Sequence, residues 1–354
     1  MSGRERIERA ARREPVDHPP LLGGWITGLE HHLALSGLTE REFWADKVCG
    51  TRRTYRALGV DGLIANALPP REGHAEHRRR QHEERGKGFD SPEAVLAWVE
   101  ALPRPDMEFD AQAYDQQVRS HMRECRRLLP EFVWMPASWH RDGRFMWQSQ
   151  FGDVNYLTAL GLWPERMVGL FEYAAERARL ENEVLVRIYE EEGFCKVVLT
   201  GQDLCDQRGP VVRPDLFERV YFPLARRAFE PLIEADFQVI WHSDGNITPI
   251  VDGLIALGIA GFQGFQRECG VKIEDIARRR TVRGERLLFF SGMNVTRTLA
   301  AGNVDDVYRE IDRCLEATDG GRGFFLCPNN TIGADARLEN LRAAYAYAQG
   351  VRVT

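Results

Sequence analysis

The sequence predicts a closed (β/α)8 barrel, and three observations predict it. Short apolar runs alternate with helical stretches along the second half of the chain, the rhythm of βα units that build a parallel sheet. Counting the runs over the whole chain gives about eight strands, which fits a closed barrel better than an open doubly wound sheet. Neither G-x-G-x-x-G nor G-x-x-x-x-G-K-[ST] follows any strand, so the nucleotide-binding open sheets lack their fingerprint.

Taken in order, Ser2 to Glu14 places Ile7, Ala10 and Ala11 at helical spacing among arginines, an amphipathic N-terminal extension that Pro15, Pro19 and Pro20 stop. Leu21 to Trp25 reads as the first strand. Thr39-Glu-Arg-Glu42 opens a helix reaching Leu58 with a capping box, and Asp61 to Ala67 is the second strand. Residues 70–90 are a polar excursion with almost nothing apolar, expected to lie over the barrel mouth. Its His74, His77 and His82 have a metal-like spacing, but mixed charge in a polar loop is usually only solvated.

Ser91-Pro92-Glu93 starts a helix, and another runs from Asp110 to Leu129. Phe132 to Trp139 and Phe145 to Gln150 read as strands, and Trp163 to Glu191 as a long helix with Met167, Leu170, Phe171 and Ala174 on one face. The βα rhythm is then regular. Strands at Cys195–Thr200, Phe237–His242, Gly258–Phe265, Leu287–Asn294 and Gly323–Cys327 alternate with helices, including Ile273–Arg280, Val304–Thr318 and Leu338–Gln349. All 354 residues are expected to form one domain.

A net charge of −6 and the absence of a basic, aromatic-laced patch argue against nucleic acid. The charged N-terminus and the lack of a long uncharged apolar run point to a cytoplasmic protein without a membrane span. Seven scattered cysteines without a C-x-x-C pair argue against a disulfide framework or a zinc ribbon.

The strongest site signal is Phe237-Gln-Val-Ile-Trp-His-Ser-Asp-Gly-Asn246, an apolar strand ending in an imidazole, a carboxylate and a glycine. His242 and Asp244 are two apart, so in extended chain they point the same way. Strand C-terminal ends are where parallel α/β folds place their chemistry. Asp203 and Arg208 follow the strand Cys195–Thr200 onto the same face. Gln263 and Gln266 lie on or just past the next strand but one, and Trp25, Trp139, Trp147 and Trp241 lie near strand ends, where packing and a platform for a flat ligand are both open readings.

Arg4-Glu-Arg-Ile-Glu-Arg-Ala10, Pro15-Val-Asp-His-Pro-Pro20, Gly201-Gln-Asp-Leu204, Pro214-Asp-Leu-Phe217, His242-Ser-Asp-Gly-Asn246, Gly261-Phe-Gln-Gly-Phe-Gln266, Cys327-Pro-Asn-Asn330 and Glu339-Asn-Leu341 together resemble the uroporphyrinogen decarboxylase superfamily. The resemblance spans nearly the whole chain, is most specific from residue 194 onward and is weak between about 70 and 150. It implies a distorted TIM barrel and one of two chemistries: decarboxylation of uroporphyrinogen, or methyl transfer between a corrinoid and a thiol, amine or aryl ether. The decarboxylases carry an arginine-rich motif after the first strand, where this chain has Gly23-Gly-Trp-Ile-Thr-Gly-Leu-Glu30. The thiol-directed methyltransferases bind zinc through a H-x-C pair and a second cysteine from the last strand. This chain offers His242-x-Asp244 and Cys327 at those places.

The expectation is therefore a methyltransferase whose zinc is held by His242, Asp244 and Cys327, with a corrinoid carried by a partner protein. Asp203 and His242 are the expected catalytic residues, and Trp25, Arg208, Gln263, Gln266 and Asn329 the expected substrate contacts. A carboxylate in place of a thiolate makes a harder Lewis acid, suited to an ether or alcohol oxygen. The alternative keeps the fold without the metal: a decarboxylase or tetrapyrrole-binding protein in which His242 and Asp203 face a pyrrole and Arg208 or the arginines at 78–80 take a carboxylate.

Overall fold

A computed structural model describes residues 1–64, 68–69, 79 and 83–353. Among them eight strands pair in parallel as two sheets. The first, in order β1-β2-β3, joins Leu22–Gly23, Gly62–Ile64 and Val133–Met135; the second, in order β4 to β8, joins Val197–Gly201, Gln238–His242, Gly261–Gln263, Leu288–Met293 and Phe324–Pro328. Isolated parallel bridges Ala137↔Leu199 and Leu21↔Leu326 run between the two sheets. The fold is α/β with parallel sheets.

Strand alternation sorts the side chains into two cores. In β5, Val239 and Trp241 join the large cluster formed with the surrounding helices, where Phe229 meets Trp241 edge-on at 6.5 Å. Ile240 faces the other way, into a cluster with Leu22, Ile64, Met135, Leu199, Phe290 and Phe325. His242 is the next residue on that second face. The inner cluster is closed from one side by the helix Gly3–Ala11, whose Ile7, Ala10 and Ala11 pack into it. Arg6 on that helix bonds both Asp17 and Asp61, while Asp61 Oδ2 accepts from Leu21 N at 2.9 Å, so one buried network ties the helix to β1 and β2.

The long helix is Pro164–Glu192, ended by Gly193 in the left-handed region at φ 64°. It packs on the helix Phe222–Glu234, and Asn182 Nδ2 bridges the joint by donating to Ala228 O at 2.7 Å and Arg141 O at 2.8 Å. Among the described residues, no helix is long and apolar enough to cross a membrane.

Three sequence expectations change. Phe145 to Gln150 is not a strand: Gln202 Oε1 accepts from both Phe145 N and Met146 N, and the Tyr156 hydroxyl donates to Phe145 O. Side chains satisfy the backbone that a ladder would otherwise satisfy, and a short helix Gln148–Phe151 follows. The Thr39–Leu58 helix breaks into Glu40–Ala45 and Lys47–Ala57, because Asp46 leaves helical geometry and caps the second piece through Cys49 N. The helix expected over Ile273–Arg280 is one turn, Ile273–Ile276. Of the excursion 70–90, residues 70–78 and 80–82 lie outside the described residues, His74, His77 and His82 among them. Its end docks on the body: Arg85 pairs with Asp153 at 2.7 Å, and Phe89 packs edge-on to Phe151 at 4.7 Å.

Candidate active site

At the C-terminal ends of β4 and β5, Asp203, His242 and Asp244 come together, each offering a ligand atom within 4.8 Å of the others. The backbone dictates the approach. Gly201 ends β4 at φ +132°, and a Cβ there would stand 2.1 Å from His242 O, so only glycine lets the two strand ends lie this close. Gly245 at φ +81° then turns the chain away from Asp206 O, 2.5 Å from where its Cβ would be.

Each of the three side chains is held. Gln263, paired with His242 across β5 and β6, donates from Nε2 to Pro328 O at 2.6 Å, which fixes its amide so that Oε1 faces His242 Nδ1 and accepts its proton. The imidazole is thereby held as the Nδ1–H tautomer, and its Nε2 lone pair faces Asp203 Oδ1 at 3.8 Å. Asp203 Oδ1 accepts from Asp244 N at 2.8 Å. Asp244 Oδ2 accepts from Asn330 Nδ2 at 2.7 Å, while its Oδ1 is buried and unpartnered. Burial holds the Asp244 carboxyl above its ordinary range, and Asp203 adds to this.

A buried carboxylate oxygen with no donor, beside an imidazole lone pair and a second carboxylate, is a donor set that fits a divalent metal ion. Cys327 is outside this group. It lies on the inner face of β8, in the cluster with Phe290 and Phe325, and its Sγ is 3.4 Å from Pro328 O. Burial raises its thiol well above the ordinary range. The intervening group is Gln263, which bonds both His242 and the Cys327–Pro328 segment. Of the expected ligands His242, Asp244 and Cys327, the structure brings the first two together, and it groups Asp203 rather than Cys327 with them.

The other expected residues divide. Trp25 stacks on Trp139 with centroids 6.4 Å apart and planes 10° off parallel, and both rings meet His242 edge-on, at 5.9 and 5.5 Å. Trp25 holds φ at +61°, a position that costs a bulky residue about 1–3 kcal/mol and is tolerated where the surroundings impose it. Those surroundings are Ile332, which donates to Trp25 O at 2.9 Å, and the following Thr27 N, which returns a bond to Ile332 O at 3.0 Å. Gln266 Oε1 accepts from Gly245 N at 2.7 Å, and buried Asn329 accepts from Val295 N at 3.0 Å; both brace loops. The Arg208 side chain is exposed, and its backbone N donates to Asp206 Oδ1 at 2.7 Å.

A cavity of about 380 Å³ opens beside the trio, lined by Trp139, His140, Arg144, Gln202, Asp203 and His242 among others. Its His140 and Arg144 escaped the sequence reading. Ser138 N donates to Leu199 O at 2.7 Å and Arg141 N to Thr200 Oγ1 at 3.1 Å, so the loop carrying Trp139 and His140 is laid across β4. Burial pulls His140 down to about 4, helped by Arg144 and Arg141, and its Nδ1 has no partner. The only sequence signal was His140 following the expected strand Phe132 to Trp139. Beneath the loop, fully buried Asp142 accepts from Tyr221 Oη and Gln202 Nε2, and burial pushes its carboxyl up to about 6.

With this geometry in place, comparison with known proteins is informative. Residues 201–350 match the family described as uroporphyrinogen decarboxylase (URO-D). The chain resembles the uroporphyrinogen decarboxylase superfamily. The match contains all three members of the trio, together with Gln263, Gln266, Cys327 and Asn329. A methyltransferase from Methanosarcina mazei superposes with a TM-score of 0.60 over 99% of this chain and 98% of its own, at 17% identity. At that identity the likeness is one of fold. The comparison with curated proteins gives no match. In this uroporphyrinogen decarboxylase-like fold, the trio and its cavity occupy the strand ends on which parallel α/β proteins build their sites.

Proposed function

We propose that the protein is a metal-dependent methyltransferase, moving a methyl group between a small O-, N- or S-methyl substrate and a corrinoid carried by a partner protein. The two sheets are read as one closed, distorted (β/α)8 barrel, an interpretation supported by the parallel bridges Ala137↔Leu199 and Leu21↔Leu326 at the two seams. One domain then comprises the whole chain.

The observation that carries the functional reading is the unpartnered, buried Asp244 Oδ1 beside the free Nε2 of His242 and the carboxylate of Asp203. Asp203, His242 and Asp244 would hold the metal, zinc being the ion suited to imidazole and carboxylate donors in a site that keeps an open position. A metal there supplies Lewis acidity to the substrate heteroatom. The chain's own residues do the rest. Gln263 keeps His242 in the tautomer that leaves Nε2 free, Asn330 turns Asp244 so that one oxygen stays available, and Gln266 fixes the Gly245 turn between them. Trp25 and Trp139 exclude water from the flank of the imidazole. The name of the structural neighbour agrees with this activity.

The metal-free decarboxylase reading asks for several cationic groups to clamp a polycarboxylate. The cavity offers Arg144 and Arg85, and Arg85 is already paired with Asp153. The deciding experiment is to mix the zinc-loaded protein with reduced cobalamin and a panel of methyl ethers, methylamines and methyl thioethers, following loss of the Co(I) absorbance. Turnover that disappears in Asp244→Ala supports the proposal. Decarboxylation of a porphyrinogen by the metal-free protein, with no methyl transfer, overturns it.

A further inference from the structure

The cavity beside His242 contains a cation that the described residues leave without a counter-charge. Arg144 donates from Nε to Met146 O at 2.9 Å and from a terminal nitrogen to Ser149 Oγ, and its guanidinium lies 4.8 Å over the Trp147 ring. These partners are neutral. Burial lowers the guanidinium's proton affinity, and no carboxylate acts against that. Arg85, the other guanidinium lining the cavity, is satisfied by Asp153. A half-buried charge held in place without its counter-ion costs the fold desolvation energy, and a ligand carboxylate that pairs with its planar fork offsets that cost.

A second, independent observation concerns another lining residue. Trp139 is 41% exposed, although an indole is ordinarily among the more buried side chains, and its exposed surface lines the cavity. Trp25 is stacked behind it in a strained backbone conformation, so the fold spends conformational energy to keep the pair parallel beside His242. Arg144 is the lining cation without a carboxylate partner among the described residues, so it is the group on which a ligand carboxylate would settle. The volume of about 380 Å³ is at the low end of ligand cavities, about 300–1,000 Å³, which suits one ring.

We propose that this cavity binds a single-ring aromatic carboxylate, its carboxylate on Arg144, its ring against Trp139 and its methyl-bearing substituent toward Asp203 and His242. His140 lines the same cavity. The choice of substrate class rests on the methyltransferase reading, but the binding does not, and the two are tested separately.

The test is calorimetric titration of the wild-type protein, with and without zinc, using 4-methoxybenzoate, methoxybenzene and cyclohexanecarboxylate, alongside quenching of tryptophan fluorescence. The aromatic carboxylate is expected to bind at least tenfold tighter than either analogue and to quench the fluorescence. Arg144→Ala should lower its affinity tenfold or more, to that of methoxybenzene, with Arg144→Lys recovering part of the loss. Trp139→Ala should lower it about fivefold and abolish most of the quenching. If Arg144→Ala does not fold, the comparison of the three probes on wild type decides alone. Equal affinity for methoxybenzoate and methoxybenzene, or wild-type affinity in a folded Arg144→Ala protein, overturns the inference. Tight binding without methyl transfer upholds it and removes the proposed function instead.

Discussion

Replacing Gln263 by leucine tests how much of the site depends on one buried amide. The side chain is 1% exposed and spans β5 to β8, accepting a hydrogen bond from His242 Nδ1 and donating to Pro328 O at 2.6 Å. Leucine fills similar volume and makes neither bond, leaving His242 Nδ1 unpartnered and Pro328 O with only the Cys327 thiol at 3.4 Å. The orphaned imidazole N–H costs about 1–3 kcal/mol and the carbonyl's lost bond about 1 kcal/mol, so a loss of roughly 2–4 kcal/mol in unfolding free energy is expected. Loss of the group that selects the tautomer should also weaken metal binding about 10–100-fold. Urea unfolding of the metal-free protein measures the first effect, and competition against a chromophoric chelator the second. Gln263→Glu, which keeps an acceptor for His242, should retain more metal affinity than leucine. A stability change under about 0.5 kcal/mol together with unchanged metal affinity would refute the reasoning.

Gly201→Ala forces a Cβ to within 2.1 Å of His242 O at a φ of +132°, so a loss of roughly 3 kcal/mol or more is expected, read as a fall in the unfolding midpoint; a wild-type midpoint would show that the strand ends can part cheaply. Asp142 gives a pH prediction. Its carboxyl is held at about 6 in the fold against 3.8 ordinarily, so the folded chain retains a proton that the unfolded chain releases between those values. This stability is full below pH about 4 and is lost as the pH rises through about 6, amounting to about 3 kcal/mol. Against Asp142→Asn, wild type should therefore lose relative stability across that window, and parallel pH profiles of the two proteins would contradict this.

Much of the fold was legible because parallel strands buried on both faces leave long apolar runs, as in Leu287-Leu-Phe-Phe, and because their alternation with helices has few solutions. The error at Phe145–Gln150 has a local cause: Gln202 and Tyr156 satisfy that backbone from distant positions, and apolar character alone does not reveal such bonds. The site was half legible. The period of a strand pairs His242 with Asp244 on paper; β5 ends at His242, and Asp244 joins the group from the segment that follows. Cys327 was the third ligand the resemblance implied; the structure groups Asp203 with His242 and Asp244, since the glycine at 201 brings β4 against β5 and Gln263 bonds across toward β8. Arg144 and His140 were hidden because their loop becomes part of the cavity only through bonds to Leu199 and Thr200.

The most direct measurement is zinc K-edge absorption spectroscopy on the wild-type protein reconstituted with one equivalent of zinc and freed of excess. Coordination by Asp203, His242 and Asp244 predicts a retained ion with a nitrogen and oxygen shell only, at about 2.0–2.2 Å, and the same spectrum in Cys327→Ser. A sulfur shell at about 2.3 Å that vanishes in Cys327→Ser, or failure of wild type to retain the ion, would contradict the account.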